Sequence, residues 1–348
     1  MRFIRPMIVV LAVLVVVLAI VYAVGPREPV DLTVRVDREA IAADPVSYLA
    51  TAEANVPNIR PGLQKEVVYA FPLSRAKTPI SIVYVHGFSA SRGEIEPVIG
   101  NVAKAFGANT VYTRLAGHGR DGAAMGEATV NDWVNDLAEA LAIADEVGER
   151  TVVIATSTGA TLAAIAAAET ELTDSMDALV QISPNYALRN RLAFVLDLPF
   201  AETIVRLAEG EERSFEPVNA AHGTLWTSRY PSRSVLPMAA LVREARGITY
   251  ERLTMPTLFV FSEEDTVVDP MATREVAARW GKSVGTRVNI ETIHGTDDPY
   301  KHVIAGDALS PSTTDRATAI IVDWIASVGL AEPLPAGTSE ETVTTPTE

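Results

Sequence analysis

Ser157 stands in the stretch VVIATSTGATLA (Val152–Ala163), where a β-branched apolar run gives way to small residues. A serine at such a strand-to-helix junction, with Ala155 and Gly159 two residues to either side, fits the small-x-S-x-small pattern that holds a strained nucleophile out over a sheet edge. Ala155 replaces the usual first glycine, a methyl group that is tolerable because the constraint is close backbone approach. The same stretch also fits a serine that merely caps a helix, so nucleophilic chemistry needs further residues. A serine nucleophile requires a base to take its proton and an acid to orient that base. Both belong on loops beyond the carboxyl ends of neighbouring strands.

After the apolar run TLFVF comes SEEDTVVDP (Ser262–Pro270), which offers two aspartates. Asp269 directly precedes Pro270 at the start of a helical pattern and reads as an N-cap with proline at the first helical position. That leaves Asp265 as the acid. Of the five histidines, His86 and His118 precede the serine and His222 precedes the acid, so the order nucleophile, acid, histidine retains His294 and His302. Both lie in the long loop IHGTDDPYKHVIAGDALSPSTT, a length that points to function. His294, Asp297, Asp298 and His302 are conceivable metal ligands there, but their spacing matches no recognised site, and an acid–base histidine is the better reading.

These residues must be held by a scaffold. Short β-branched runs near Glu66–Phe71, Ile80–Val85, Thr110–Arg114, Thr151–Ala155, Ala178–Ile182, Thr257–Phe261 and Arg287–Ile293 alternate with helical patterns. Unbroken apolar strands such as ISIVYV imply burial on both faces, hence a mostly parallel sheet covered by helices, an α/β architecture. The last helix carries an apolar stripe at Ala317, Ile320, Ile321, Trp324 and Ile325. From about 185 to 251 the alternation fails and helical segments follow one another without a convincing strand, which reads as an inserted helical cap.

YVHGFSAS, RLAGHG, ATSTG and the pair DTVVDP with KHVIAGD, in this order, resemble the α/β-hydrolase superfamily. Within it, the chain resembles the branch of bacterial carboxylesterases and monoacylglycerol-lipase-like serine hydrolases. The resemblance covers about residues 64–330 and implies the α/β-hydrolase fold with Ser157 as nucleophile. It selects Asp265 as acid and His302 over His294 as base, and it implies that the backbone N–H groups of Phe88 and Thr158 form an oxyanion hole. The activity implied is hydrolysis of a small-molecule ester or lipid with no metal or organic cofactor. A peptidase or amidase on the same triad, or a non-catalytic tethered binding protein, are the alternatives. His86 with Gly87, and Gly117–His118–Gly119, are expected to shape turns.

The chain has 348 residues, 48% of them hydrophobic, no cysteine and a net charge of −15. That excludes a disulfide framework and a thiol nucleophile and argues against nucleic acid as a partner. At the N-terminus, Arg2 and Arg5 precede an apolar run from Met7 to Val24. It is expected to be a membrane anchor over residues 1–25, or else a cleaved signal peptide, with the catalytic domain on the outer side of the membrane. A polar lead (26–63) and the hydrolase domain (64–330) follow. Residues 331–348, rich in Pro, Thr and Glu, are expected to be a disordered tail.

Overall fold

A computed structural model describes residues 4–335, with side chains from Val10 onward. Its centre is a seven-stranded sheet in the order β1-β3-β2-β4-β5-β8-β9. The strands are β1 (Glu66–Val68), β2 (Ser81–Val85), β3 (Asn109–Tyr112), β4 (Thr151–Thr156), β5 (Ala178–Ile182), β8 (Thr257–Phe261) and β9 (Val288–Thr292). Only β1 runs antiparallel, against β3; every other pairing is parallel. Successive side chains of a strand point to opposite faces, and in β2, β3, β4, β5 and β8 both faces are covered, while the edge strands β1 and β9 are partly exposed. Val83, Val153, Leu179 and Phe259 enter one core with the helices Val130–Val147, Thr158–Ala166 and Val235–Ala245. Ile82, Val152, Val180 and Leu258 enter the other with Val98–Phe106 and Thr314–Ser327. Double-sided burial is why these strands read as continuous apolar runs.

The segment expected to be a strand-free helical cap differs in two respects. It contains a two-stranded antiparallel sheet, β6 (Glu212–Ser214) and β7 (Arg229–Pro231). Three residues are too few for alternation to register in sequence. Its last helix, Val235–Ala245, packs against Thr158–Ala166 and belongs to the main helical layer. The turn Arg191–Asp197 and the β6–β7 pair contribute Leu196, Arg213 and Tyr230 to the cavity beside Ser157, and the helix Ala201–Glu209 packs on that turn and on β6.

The N-terminal expectation is corrected. Ile4–Val24 is helical, but among the described residues no helix is long and apolar enough to cross a membrane. The membrane-anchor expectation and the outer-side location built on it are therefore withdrawn. The side chains of Met7, Ile8 and Val9 lie outside the described ones, as do residues 336–348 of the expected tail. The lead is not a detached linker: Val30, Leu32, Val34 and Val36 pack against the core, and Ile41, Leu49 and Leu63 are buried.

Candidate active site

β4 ends and its helix begins across Ser157, whose φ of 52° and ψ of −116° are unusual for a residue with a side chain. The surroundings enforce that conformation. Ser157 N donates to Ile182 O at 2.8 Å, and Ser157 O accepts from Asn185 N at 3.2 Å. The helix then passes so near β2 that a Cβ on Gly159 would lie 2.5 Å from Val85 O and 2.6 Å from His86 O. Glycine is required here for close approach, whereas Ala155 is accommodated and fully buried.

Ser157 Oγ lies 3.0 Å from His302 Nε2, and His302 Nδ1 lies 2.7 Å from Asp265 Oδ2. Asp265 Oδ1 accepts from the amides of Val267 at 2.7 Å and Val268 at 3.0 Å, so both carboxylate oxygens are fixed. With the Nδ1 proton committed to Asp265, the Nε2 lone pair is left to face the serine hydroxyl. Burial disfavours the imidazolium, but the charge and hydrogen bond of Asp265, helped by Glu94 and Asp298, outweigh it and raise the His302 pKa. Asp269 caps the helix Pro270–Arg279 through Met271 N at 3.0 Å, as its position before proline requires. His294 is exposed, with Thr292 Oγ1 at 3.5 Å from its ring, and stands away from this cluster. Asp297 accepts from Ser312 N at 2.8 Å. Among the described residues no group of His, Asp or Glu is arranged to hold a metal ion.

Phe88 and Thr158 line one cavity with Ser157 and His302. Thr158 is the first residue of its helix, so its amide has no intrahelical acceptor. In the turn before Phe88, His86 Nε2 accepts from Leu115 N at 3.1 Å, which leaves Nδ1 to donate to Gly87 O at 2.9 Å. Burial pushes the His86 pKa down to about 4, the Gly87 carbonyl opposing, so the ring is neutral and serves the turn. His118 is likewise buried, its pKa driven well down by burial. The cavity measures about 310 Å³. Leu188, Leu196, Phe215, Trp226, Tyr230 and Met238 are part of its apolar wall, with Arg213 and Tyr300 among its polar lining.

Three further residues serve this geometry and were not legible as such in the sequence. Ser183 Oγ donates to His302 O at 2.7 Å. Asp298 Oδ2 accepts from the amides of His302 and Val303, both at 2.9 Å, and so folds the loop that carries His302. Its position before Pro299 was the available turn signal. Glu94 is 2% exposed, and its Oε2 accepts from Gly87 N at 2.8 Å and Tyr84 OH at 3.0 Å. Burial pushes its carboxyl up to about 7, against the Gly87 amide, His302 and Tyr84. No local pattern marks it.

Among known proteins, the family model described as Serine aminopeptidase, S33 (Hydrolase_4) matches residues 77–296. No curated protein matches this sequence. Solved structures of similar fold include one described with LipS and LipT, two metagenome-derived lipolytic enzymes. It is 18% identical, with a TM-score of 0.60, over 78% of this chain and 100% of that one. A monoacylglycerol lipase from Paleococcus ferrophilus is 16% identical, TM-score 0.54, over 76% and 98%. A soluble variant of the Saccharomyces cerevisiae monoglyceride lipase, in complex with a substrate analog, is 11% identical, TM-score 0.56, over 76% and 90%. These likenesses establish the α/β-hydrolase fold.

Proposed function

The chain belongs to the serine aminopeptidase S33 family of hydrolases, and on that footing we propose that it hydrolyses carboxylic esters through an acyl-enzyme on Ser157. The observation that carries the reading is the continuous chain from Ser157 Oγ through His302 to Asp265, at 3.0 and 2.7 Å. Ser157 Oγ attacks the ester carbonyl while His302 Nε2 takes its proton, and Asp265 holds the imidazolium that forms. The Phe88 and Thr158 amides receive the oxyanion, a contribution of about 3–4 kcal/mol for one such donor in a comparable site. Collapse expels the alkoxide, which leaves as the alcohol with the proton from His302. Water, deprotonated by the same nitrogen, then releases the acid and restores the serine.

The predominantly apolar cavity of about 310 Å³ suits a small ester or a single acyl chain. The family's description keeps amide substrates in view. Against a free amine, both Asp298 oxygens are occupied by the amides of Tyr300, His302 and Val303. Glu94, pushed up to about 7, is not a dedicated anion. A panel of p-nitrophenyl esters, monoacylglycerols and aminoacyl anilides tests the assignment. Ester turnover with a burst of one nitrophenolate per enzyme is expected; turnover of the anilides alone would contradict the ester reading.

A further inference from the structure

Glu94 lies between β2 and the helix Val98–Phe106, buried beside Ser157. A Cβ on Gly87 would lie 2.9 Å from Glu94 Oε1 and 3.1 Å from Ser157 Cβ, so carboxylate and nucleophile flank the same bare glycine. Oε2 takes the hydrogen bonds from Gly87 N and Tyr84 OH; Oε1 takes neither, and Glu94 lines the cavity shared by Ser157 and His302. Tyr84 OH also lies 3.1 Å from Oγ1 of Thr156, the residue before the nucleophile. One carboxylate thus ties the turn that presents the Phe88 amide to the strand that presents Ser157.

We propose that Glu94 is a second carboxylate of this site, a positioning residue that braces the oxyanion turn and sets the basicity of His302. The proposal rests on the triad reading above. Among the described residues, the cation that acts on Glu94 is His302, from the loop after β9; Tyr84 faces it from β2, with Glu96 acting on Tyr84 in turn. Asp265 and Asp298 act on His302 in the same sense as Glu94. The cap contributes Arg213, paired with Glu209, and His222 to the cavity wall. When Ser157 attacks, His302 becomes cationic, and an ionised Glu94 favours that state in addition to Asp265. Glu94 and His302 line the same cavity and each stabilises the charged form of the other, so the two groups share a coupled titration.

The test compares the full chain with its Glu94→Gln variant on a water-soluble activated ester from pH 5 to 9. Glutamine keeps an acceptor for Gly87 N–H and Tyr84 O–H but carries no charge. Removing the anion lowers the His302 pKa, so the acid limb of kcat/KM moves down by about half to one pH unit. The plateau falls about three- to tenfold because a weaker base remains, while KM and Tm stay near wild type. Glu94→Ala, which also removes the brace, loses more of the plateau with the same limb shift. In the wild-type protein the His302 Cε1–H resonance titrates with two inflections. An unmoved limb in Glu94→Gln, or a single inflection, overturns the proposal. If Ser157→Ala is inactive while the limb stays put, this proposal alone fails; if Ser157→Ala retains turnover, the triad reading fails with it.

Discussion

Ser157 is held at positive φ, a conformation costing about 1–3 kcal/mol that packing must sustain. Ser157→Ala removes a hydroxyl without opening a core cavity. It should lower kcat on an activated ester by about 10⁴–10⁶-fold with Tm essentially unchanged in a thermal melt. His302→Ala should lose nearly as much, and the double variant little beyond the worse single one, because triad members act as a unit. His294→Ala should stay near wild type; a dead His294→Ala beside an active His302→Ala would reverse the base assignment. The His302 pKa is raised above its ordinary ~6.5, and the base works only when neutral. The acid limb of kcat/KM therefore lies above pH 6.5, with activity lost as pH falls through it; a limb centred below pH 6 would contradict the electrostatics. Capping chemistry separated Asp265 from Asp269 in sequence. Chain order left His294 and His302 level, and only the resemblance chose between them. Glu94 and Ser183 were illegible because their roles arise from tertiary contacts.

At the scale of elements, the strand ends place the chemistry: Ser157 follows β4, Ser183 follows β5, Asp265 lies beyond β8 and His302 beyond β9. The central strands were legible because burial on both faces demands unbroken apolar sequence, and observed bounds differ from expectation mainly by residues at the ends. β6 and β7 were not legible, being three residues each on a partly exposed cap. Neither was the place of Val235–Ala245, since an apolar helix looks the same in a cap as in the main layer. A tight element contact lies at Gly159, where any side chain meets the backbone oxygens of Val85 and His86. Gly159→Val should cost about 2–4 kcal/mol, in the range of overpacked and strained sites, and should depress kcat by displacing the elbow. Denaturant melts and ester turnover on the same preparation check both; a variant of wild-type stability would show that the approach is looser than described.

For the whole molecule, the lead segment decides where the folding unit begins. Lys65 Nζ is buried against Asp136 at 2.7 Å and Glu139 at 2.6 Å, and Glu53 bonds Arg114 through Nη2 at 2.7 Å. Removing residues 1–63 would expose the surface that Ile41, Leu49 and Leu63 cover and leave Arg114 buried without Glu53. An unpaired buried charge costs about 3–5 kcal/mol, and each lost apolar side chain about 2 more, together comparable with total domain stability. A chain beginning at Pro26 should fold with a near-native Tm and full turnover of a soluble ester, whereas one beginning at Gln64 should fail to fold. Equal behaviour of the two would show that the lead contributes nothing. The apolar run at the N-terminus, conspicuous in sequence, was legible as a helix, but among the described residues no helix is long and apolar enough to cross a membrane.

The central claim is that Ser157 carries the acyl group. Treating the intact protein with a fluorophosphonate and mapping its peptides by mass spectrometry measures this directly. The account predicts a single adduct on Ser157, absent in Ser157→Ala and strongly slowed in His302→Ala; an adduct on another residue, or one that survives Ser157→Ala, would contradict it.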